Sequence, residues 1–478
     1  VVAPVASSYS VSAGQPIYAG RLRSGFVAGA LLAGVVAAGV MSAPVSAFGA
    51  GAALRATVAG GLLDSPTPDI IRAPADGLSN LAGVIGDSLT EHAFRSTPFY
   101  WQNGLLGAPL DVIANSGYSG QSISGLRAQI ANNYKSGVPA GFAGLPALGF
   151  AFVRIGTNGY RGAGSISSID GATQADYLDI IAQLKTYASH VVCMPIPPIV
   201  GITNADQPRK VWNAFCKSAV QADASGLVSW LDDTVDLESG GGGIAAFFEP
   251  DGYHMNGAGA RQMGLTMQSK LTALLANQGF ARAPLVTDAA DVYPAEDQWI
   301  NNPTGTGTGG SKGGGWTGTL PDGWSISTNG SGIGGTVAIV AADGGDANAT
   351  PWVRITPTSS SSFAQISLTF TASGRTVTSI DPSELEELLE VRFGAIENFN
   401  RLDFWIQNNS GNKLTQLAYL KWGETIPPSE TVTLRQRYYR AGSTAGGTPF
   451  IGVVYVYSVV ADSGSMGYID VRCPSFRG

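Results

Sequence analysis

Between residues 81 and 231, short apolar runs recur at the spacing a strand–helix alternation would produce. Residues 81–85, 111–114, 148–155, 190–195 and 227–231 are rich in apolar side chains with little alternation, the pattern of strands buried on both faces. Around them, Tyr177, Ile180, Ile181, Leu184 and Tyr187 fall at helical spacing, as do Val211, Phe215 and Ala219, and then Met263, Leu271, Leu274 and Leu275. Strands that alternate with such helices pair in parallel and are covered on both sides, which predicts a three-layer α/β/α domain over 81–285.

The pattern changes past residue 300. Residues 301–315 (NNPTGTGTGGSKGGG) hold almost nothing to bury and predict an unordered Gly-rich linker, assigned to 286–315. Beyond it, residues 336–342, 352–358, 363–372, 401–408, 416–422, 431–440, 450–460 and 468–473 are β-branched or aromatic runs separated by Gly, Ser, Asn and Pro turns. They predict an antiparallel β-sandwich of jelly-roll type over 316–478. One segment, 382–391 (PSELEELLEV), reads as a helix with Asp381 or Ser383 as its cap.

At the other end, residues 24–54 carry no charge, and 26–41 (FVAGALLAGVVAAGVM) are continuously apolar behind Arg21 and Arg23. A secretory signal and a membrane span both fit in part, but twenty residues precede Arg21, and Gly and Ala dominate the segment. Small residues favour close packing against neighbouring helices, so 1–80 is expected to be an apolar assembly anchor followed by a proline-bearing connector. Val1 is what removal of an initiator Met, or processing, would leave.

Composition narrows the function. The 478 residues are enough for two or three domains. With 28 Lys and Arg against 35 Asp and Glu, the net charge is −7, and no basic stripe is available for phosphates, so nucleic acid is not an expected partner. Charged residues are 13% of the chain, about half the ordinary share, and Gly numbers 64, a composition suited to secreted or assembled β-rich proteins. Cys193, Cys216 and Cys473 have no C-x-x-C spacing; buried free thiols are expected, not a disulfide framework or a zinc site.

Four segments fall where a parallel-sheet enzyme places its site, at strand exits or helix entrances. Gly86-Asp87-Ser88-Leu89 follows the first strand and puts the Ser88 hydroxyl at the sheet's carboxyl edge, where a helix is expected to begin. Asn115 to Ser122 (NSGYSGQS) follows the second, with Gly120 or Gly117 able to bring a backbone N–H close to a ligand and Ser122 as a helix cap. Gly156-Thr157-Asn158-Gly159 closes the third with an amide side chain. Glu249 to Asn256 (EPDGYHMN) precedes the last helix; its Asp251 and His254 are three apart, so the carboxylate can hold one ring nitrogen while the other addresses a hydroxyl. Taken singly each has an ordinary structural reading; taken together and in this order they form a constellation.

On these residues the chain resembles the SGNH (GDSL-type) hydrolase family of esterases and lipases over about 81–280. The resemblance implies a flavodoxin-like sheet, with Ser88 as nucleophile, Asp251 and His254 as orienter and base, and an oxyanion hole made by the Ser88 and Gly120 amides and the Asn158 side chain. The family often has Asp after the third-block Asn, where this chain has Gly159. No metal or cofactor is implied. A neutral imidazole acting as base predicts that activity falls as pH drops through about 6.5. His92, four residues after Ser88, is the rival base, and His190 reads as structural. Residues 193–198 (CMPIPP) read as a strand exit and a wall of the acyl pocket.

Trp316, Trp324, Trp352, Trp405 and Trp422, with Tyr438, Tyr439, Tyr455 and Tyr457, give the sandwich many flat rings that suit a sugar surface, a core or a subunit interface equally. The stretch 320–324 (LPDGW) resembles the start of β-sandwich modules of phage tail and glycan-contacting proteins. The resulting expectation is an esterase that deacylates a surface polysaccharide within a virion tail or cell-surface assembly, extracytoplasmic, bound to other assembly proteins through its N-terminal segment, and homo-oligomeric, as a trimer. The alternatives are a catalytically silent binding protein on a hydrolase scaffold, betrayed by Asp251 and His254 out of reach of Ser88, and a secreted lipase with a wide apolar cleft.

Overall fold

The chain divides into two units, Val1–Arg55 and Ala56–Gly478. The computed structural model describes residues 68–477 of the second, apart from 92–97, 131–141, 143–144, 163–164, 202–206, 281–301, 330–332, 345–348, 360–363, 371–384, 395–398, 409–416, 419–429, 439–449 and 459–466. The apolar segment 26–41 and His92 lie outside the described residues. Among the described ones, no helix is long and apolar enough to cross a membrane.

The first half is the expected α/β layer structure. In chain order it runs β1 (Leu81–Gly86), α1 (Pro98–Leu105), β2 (Asp111–Gly117), α2 (Ile123–Arg127), β3 (Leu148–Arg154), α3 (Thr157–Tyr160), α4 (Gly171–Tyr187), β4 (Ala188–Cys193), α5 (Gln207–Ala222), β5 (Val228–Trp230) and α6 (Gly257–Leu275), with a small β6 (Glu238–Ser239) and β7 (Gly242–Gly243) pair before α6. The five large strands pair in parallel in the order β2-β1-β3-β4-β5. Pleating explains the two helix layers, because successive strand residues face opposite ways. Phe150 and Phe152 of β3 pack with Phe99 and Trp101 of α1 and Met267 and Leu271 of α6. Ala151 and Val153 pack with Leu126 of α2, Ile180 and Leu184 of α4, and Trp212 and Phe215 of α5. The apolar spacing seen in the sequence is the buried stripe of each helix.

Gly86 of β1 pairs with Gly117 of β2 and Arg154 of β3, so these three strands end level with one another. Strand order reverses about β1, and a crevice opens at the carboxyl ends where chains leave the sheet in opposite directions. Three of the four segments singled out above exit there.

The second half carries two six-stranded sheets. One has the order β16-β15-β18-β13-β10-β8 and the other β17-β14-β19-β12-β11-β9. Their strands are β8 (Gly309–Lys312), β9 (Trp316–Gly318), β10 (Leu320–Asn329), β11 (Ile333–Val340), β12 (Trp352–Ser359), β13 (Ala364–Phe370), β14 (Leu385–Phe393), β15 (Phe399–Asn408), β16 (Leu417–Ala418), β17 (Thr431–Tyr438), β18 (Phe450–Ser458) and β19 (Ile469–Arg477). Ile326 and Leu368 of the first sheet share one apolar cluster with Val337, Ile355, Leu389, Val432 and Val471 of the second.

Three expectations are corrected here. The sheets are mixed, because β8 pairs parallel to β10 and β9 parallel to β11; several connections that would define a jelly roll run through undescribed residues. Residues 302–315 are not an unordered linker. Asn302 donates to the carbonyls of Thr306 and Asp322, the Asp322 carboxylate accepts from Gly309 N–H, and Gly309–Lys312 forms the edge strand β8. Backbone and side-chain hydrogen bonds order a segment too poor in apolar groups to order itself by burial. Finally, 385–391 belongs to strand β14, between β17 and β19, and not to a helix.

The described tryptophans of the sandwich lie in its interior and not on a sugar surface. Trp316, Trp324 and Trp352 are buried, and the first two donate their indole N–H to Thr328 and to the Asn302 carbonyl. Trp352 lies against the guanidinium groups of Arg392 and Arg472, at 4.7 and 3.9 Å. The side chains of Trp405, Trp422, Tyr438, Tyr439, Tyr455 and Tyr457 lie outside the described residues. All three cysteines are free and buried.

Candidate active site

The chain leaves β1 through one tight turn. The Asp87 carbonyl accepts from the N–H groups of Thr90 and Glu91 at 3.0 and 3.1 Å, so the turn is helical in its bonding, while the next described helix begins only at Pro98. Gly86 permits this exit, because a Cβ there would sit 2.1 Å from the Arg154 carbonyl oxygen. Asp87 is fully buried; its Oδ1 accepts from Leu89 N–H at 3.1 Å and its Oδ2 from Thr157 N–H at 3.2 Å. Burial raises its pKa, and the Leu89 hydrogen bond opposes that rise. One carboxylate thus ties the Ser88 turn to the helix start that carries Asn158. Sequence reasoning did not assign Asp87 a role; the signal available was an acid immediately before the serine, and its second partner lies seventy residues away.

Asn158 sits on α3, entered through Gly156 at φ +119. A side chain at Gly156 would meet the indole of Trp212, whose Nε1–H donates to the Ile155 carbonyl at 2.9 Å while its ring stacks on Tyr160 at 4.8 Å. The backbone on both sides of Asn158 is therefore clamped. Its Nδ2 donates to the Gln121 carbonyl at 3.0 Å, which brings the amide beside Gly120. Gly120 lies exposed in a turn at φ +80 with open space where a Cβ would be, whereas Gly117 is buried and gives its N–H to Asn115 Oδ1 at 3.0 Å. That distinction favours Gly120 over Gly117 as a donor to a ligand. Ser122 caps α2 by accepting from Gly125 N–H.

The fourth segment is a closed loop in which Glu249 N–H donates to the His254 carbonyl at 2.7 Å and Gly252 turns the chain at φ +68. Asp251 Oδ1 accepts from the N–H groups of Tyr253 and His254 at 2.8 and 2.9 Å, and its Oδ2 lies 2.6 Å from His254 Nδ1. His254 Nε2 lies 3.0 Å from Ser88 Oγ. With Nδ1–H committed to the carboxylate, Nε2 presents the lone pair that can accept the serine proton. Partial burial pushes the Asp251 pKa up, but the hydrogen bonds from the His254 ring and the two amides outweigh it and hold the group at about 2.

Ser88, His254, Asp251, Asn158 and Gly120, drawn from four separated segments, are thus gathered at one sheet edge. The separation expected of a silent scaffold is not seen between Ser88, His254 and Asp251. Glu249, Asp251 and His254 offer ligand atoms within 4.8 Å of one another, but Asp251 Oδ2 and His254 Nδ1 already bond to each other, which suits an acid–base pair better than a metal centre. His190 is buried and bonded to Ser229 Oγ at 2.9 Å; burial lowers its pKa to about 4, and it has the structural role expected of it. Residues 193–198, expected above to wall an acyl pocket, are buried, and the Pro198 carbonyl accepts from Arg161.

Residues 84–262 match the model of the GDSL-like Lipase/Acylhydrolase family. The match falls on the α/β part of this chain and spans Ser88, Gly120, Asn158, Asp251 and His254, which supports an ester hydrolase by class. No curated protein matches the chain. Among solved structures it is similar to an acetylxylan esterase from Geobacillus stearothermophilus, at 16% identity over 44% of this chain and 98% of that one, with a TM-score of 0.30. It is similar to a GDSL-like lipase from Bacteroides thetaiotaomicron at 14% identity, over 41% and 88% of the two chains, with a TM-score of 0.30. A third likeness is to the enzymatically active domain of bacteriophage CBA120 tailspike protein 4, at 12% identity over 33% and 19%, with a TM-score of 0.23.

Proposed function

We propose that this chain is a serine esterase that removes short acyl groups, acetyl foremost, from the hydroxyls of a surface polysaccharide. The observation that carries the chemistry is the bonded series Ser88–His254–Asp251 at 3.0 and 2.6 Å, with Asn158 and Gly120 alongside one another at the same edge. His254 takes the Ser88 proton as Oγ attacks the ester carbonyl, and the oxyanion is held by the Ser88 and Gly120 amides and the Asn158 side chain. The imidazolium then gives its proton to the leaving sugar oxygen. Water, deprotonated by the same imidazole, splits the acyl-serine and releases the acid, returning Ser88 to its starting state. An open site suits a polymer: Asn158, Gly120 and Asp251 are all exposed.

The setting we infer is a virion tail or cell-surface assembly, with residues 1–80 as the attachment to other assembly proteins and a trimer as the oligomer. Low charge content and the uncharged stretch 24–54 support that reading. The test is acetate release from O-acetylated bacterial glycan by the purified chain, together with labelling of Ser88 by a serine-reactive phosphonate. Labelling without acetate release overturns the substrate; no labelling overturns the nucleophile.

Two further outcomes are expected. Asn158→Ala should lower kcat by about 10²–10³, the loss typical of one oxyanion donor, in steady-state hydrolysis of an acetate ester. The pH profile of kcat/KM should fall on the acid side with a slope of one proton, because Asp251, at about 2, stays ionised while the imidazole titrates. Protonated His254 cannot accept the serine proton, so activity is lost as pH falls. Activity undiminished down to pH 4 would contradict this assignment.

A further inference from the structure

Tyr253 is an aromatic ring with 41% of its surface exposed, next in sequence to the proposed catalytic base. Its position is fixed from two sides. The backbone N–H donates to Asp251 Oδ1, and the ring lies 5.5 Å from the guanidinium carbon of Arg161. Arg161 is itself buried, bonded through Nε to the Pro198 carbonyl at 3.2 Å and packed at 5.7 Å against the buried ring of Phe248. It directly follows α3, three residues after Asn158, so the Tyr253 ring lies against the chain segment that carries the proposed oxyanion amide. By contrast, the described tryptophans of the sandwich are closed into its interior.

We propose that Tyr253 is a platform on which a sugar ring of the substrate stacks, deciding which acylated hydroxyl reaches Ser88; the proposal rests on the esterase reading above. A saccharide ring has one apolar C–H face and polar edges that stay in water, and a single exposed aromatic face matches it. A long acyl chain needs apolar surface around its whole girth to leave water, which one exposed ring does not offer. A ring already held by Arg161 and the Asp251 turn loses little conformational freedom on stacking, so most of the contact appears as affinity.

The experiment compares wild type, Tyr253→Ala, Tyr253→Leu and Tyr253→Trp on an acetylated oligosaccharide, p-nitrophenyl acetate and p-nitrophenyl octanoate, with Ser88→Ala as the blank. Tyr253→Ala and Tyr253→Leu are expected to lower kcat/KM on the oligosaccharide about tenfold more than on p-nitrophenyl acetate, chiefly through KM, as loss of about 1.4 kcal/mol of stacking would produce. Tyr253→Trp, which keeps a flat face, should hold the wild-type preference. Equal losses on both acetates would mean that the ring only steadies the His254 loop, and the largest loss on octanoate would make it an acyl wall; either overturns the platform. Ser88-dependent hydrolysis of p-nitrophenyl acetate with none of the oligosaccharide overturns the saccharide substrate as well. Oligosaccharide activity that ignores Tyr253 overturns the platform alone.

Discussion

Ser88→Ala is expected to lower kcat on p-nitrophenyl acetate by about 10⁶, the magnitude found when the nucleophile of a hydrogen-bonded triad is removed, and His254→Ala should fall to the same floor. The double variant should be no worse than either single one. In the proposed mechanism Ser88 and His254, 3.0 Å apart, act as one unit, and once either is missing the proton transfer that this mechanism needs is gone. Asp251→Asn should lose less, about 10⁴, because an amide in place of the carboxylate favours the wrong imidazole tautomer yet leaves both reacting groups present. Thermal unfolding separates these effects from folding. Ser88 contributes one side-chain hydrogen bond to a part-buried imidazole, so its removal should change stability by about 1 kcal/mol or less. Additive losses from Ser88→Ala and His254→Ala would show that the two groups do not share a step.

The parallel sheet was legible because its strands are buried on both faces and therefore read as continuous apolar runs; β3 has no exposed position. The site was legible for a different reason. Each of its segments is local, with Asp251 and His254 three residues apart and Gly120 two before the cap of α2, so the sequence shows the geometry of each piece. What joins the pieces was not visible. The Asp87 carboxylate reaches Thr157, and Trp212 reaches Ile155, across strands that only the folded sheet makes neighbours. The segment 385–391 misled for the same reason. Its Glu-rich sequence has local helical preference, but Leu389 and Val391 fill the sandwich core, Glu386 accepts from Arg435, and Glu390 accepts from Arg472. Those arginines are 49 and 82 residues away, and their pairing fixes a period of two where the local signal suggested 3.6.

Arg435 links the two halves of the described structure. It projects from β17 and donates to Glu386 Oε1 on the neighbouring strand β14 and to Asp111 Oδ2 at the start of β2, both at 3.1 Å. The side chains of Asp111, Glu386 and Arg435 retain only 3, 4 and 11% of their exposure, so one guanidinium compensates two carboxylates that water hardly reaches. Beside them Ala108, Leu388 and Cys473 close a small apolar contact across the same boundary. Arg435→Met keeps most of the packing volume and removes the charge, and it is expected to destabilise the chain by about 3–5 kcal/mol, because two buried carboxylates lose the guanidinium that both of them bond. Replacing Asp111 with Asn and Glu386 with Gln in the Arg435→Met background should recover part of that loss, since the penalty belongs to buried negative charge no longer offset by the guanidinium more than to the missing contact. By comparison, Glu430→Gln opposite Arg261, where the carboxylate side chain keeps 27% exposure, should cost about 1 kcal/mol or less. Calorimetry on the full chain reads both quantities. If Arg435 fastens the sandwich to the hydrolase sheet, one transition moves as a whole; two transitions of which only one responds would mean that the halves unfold independently.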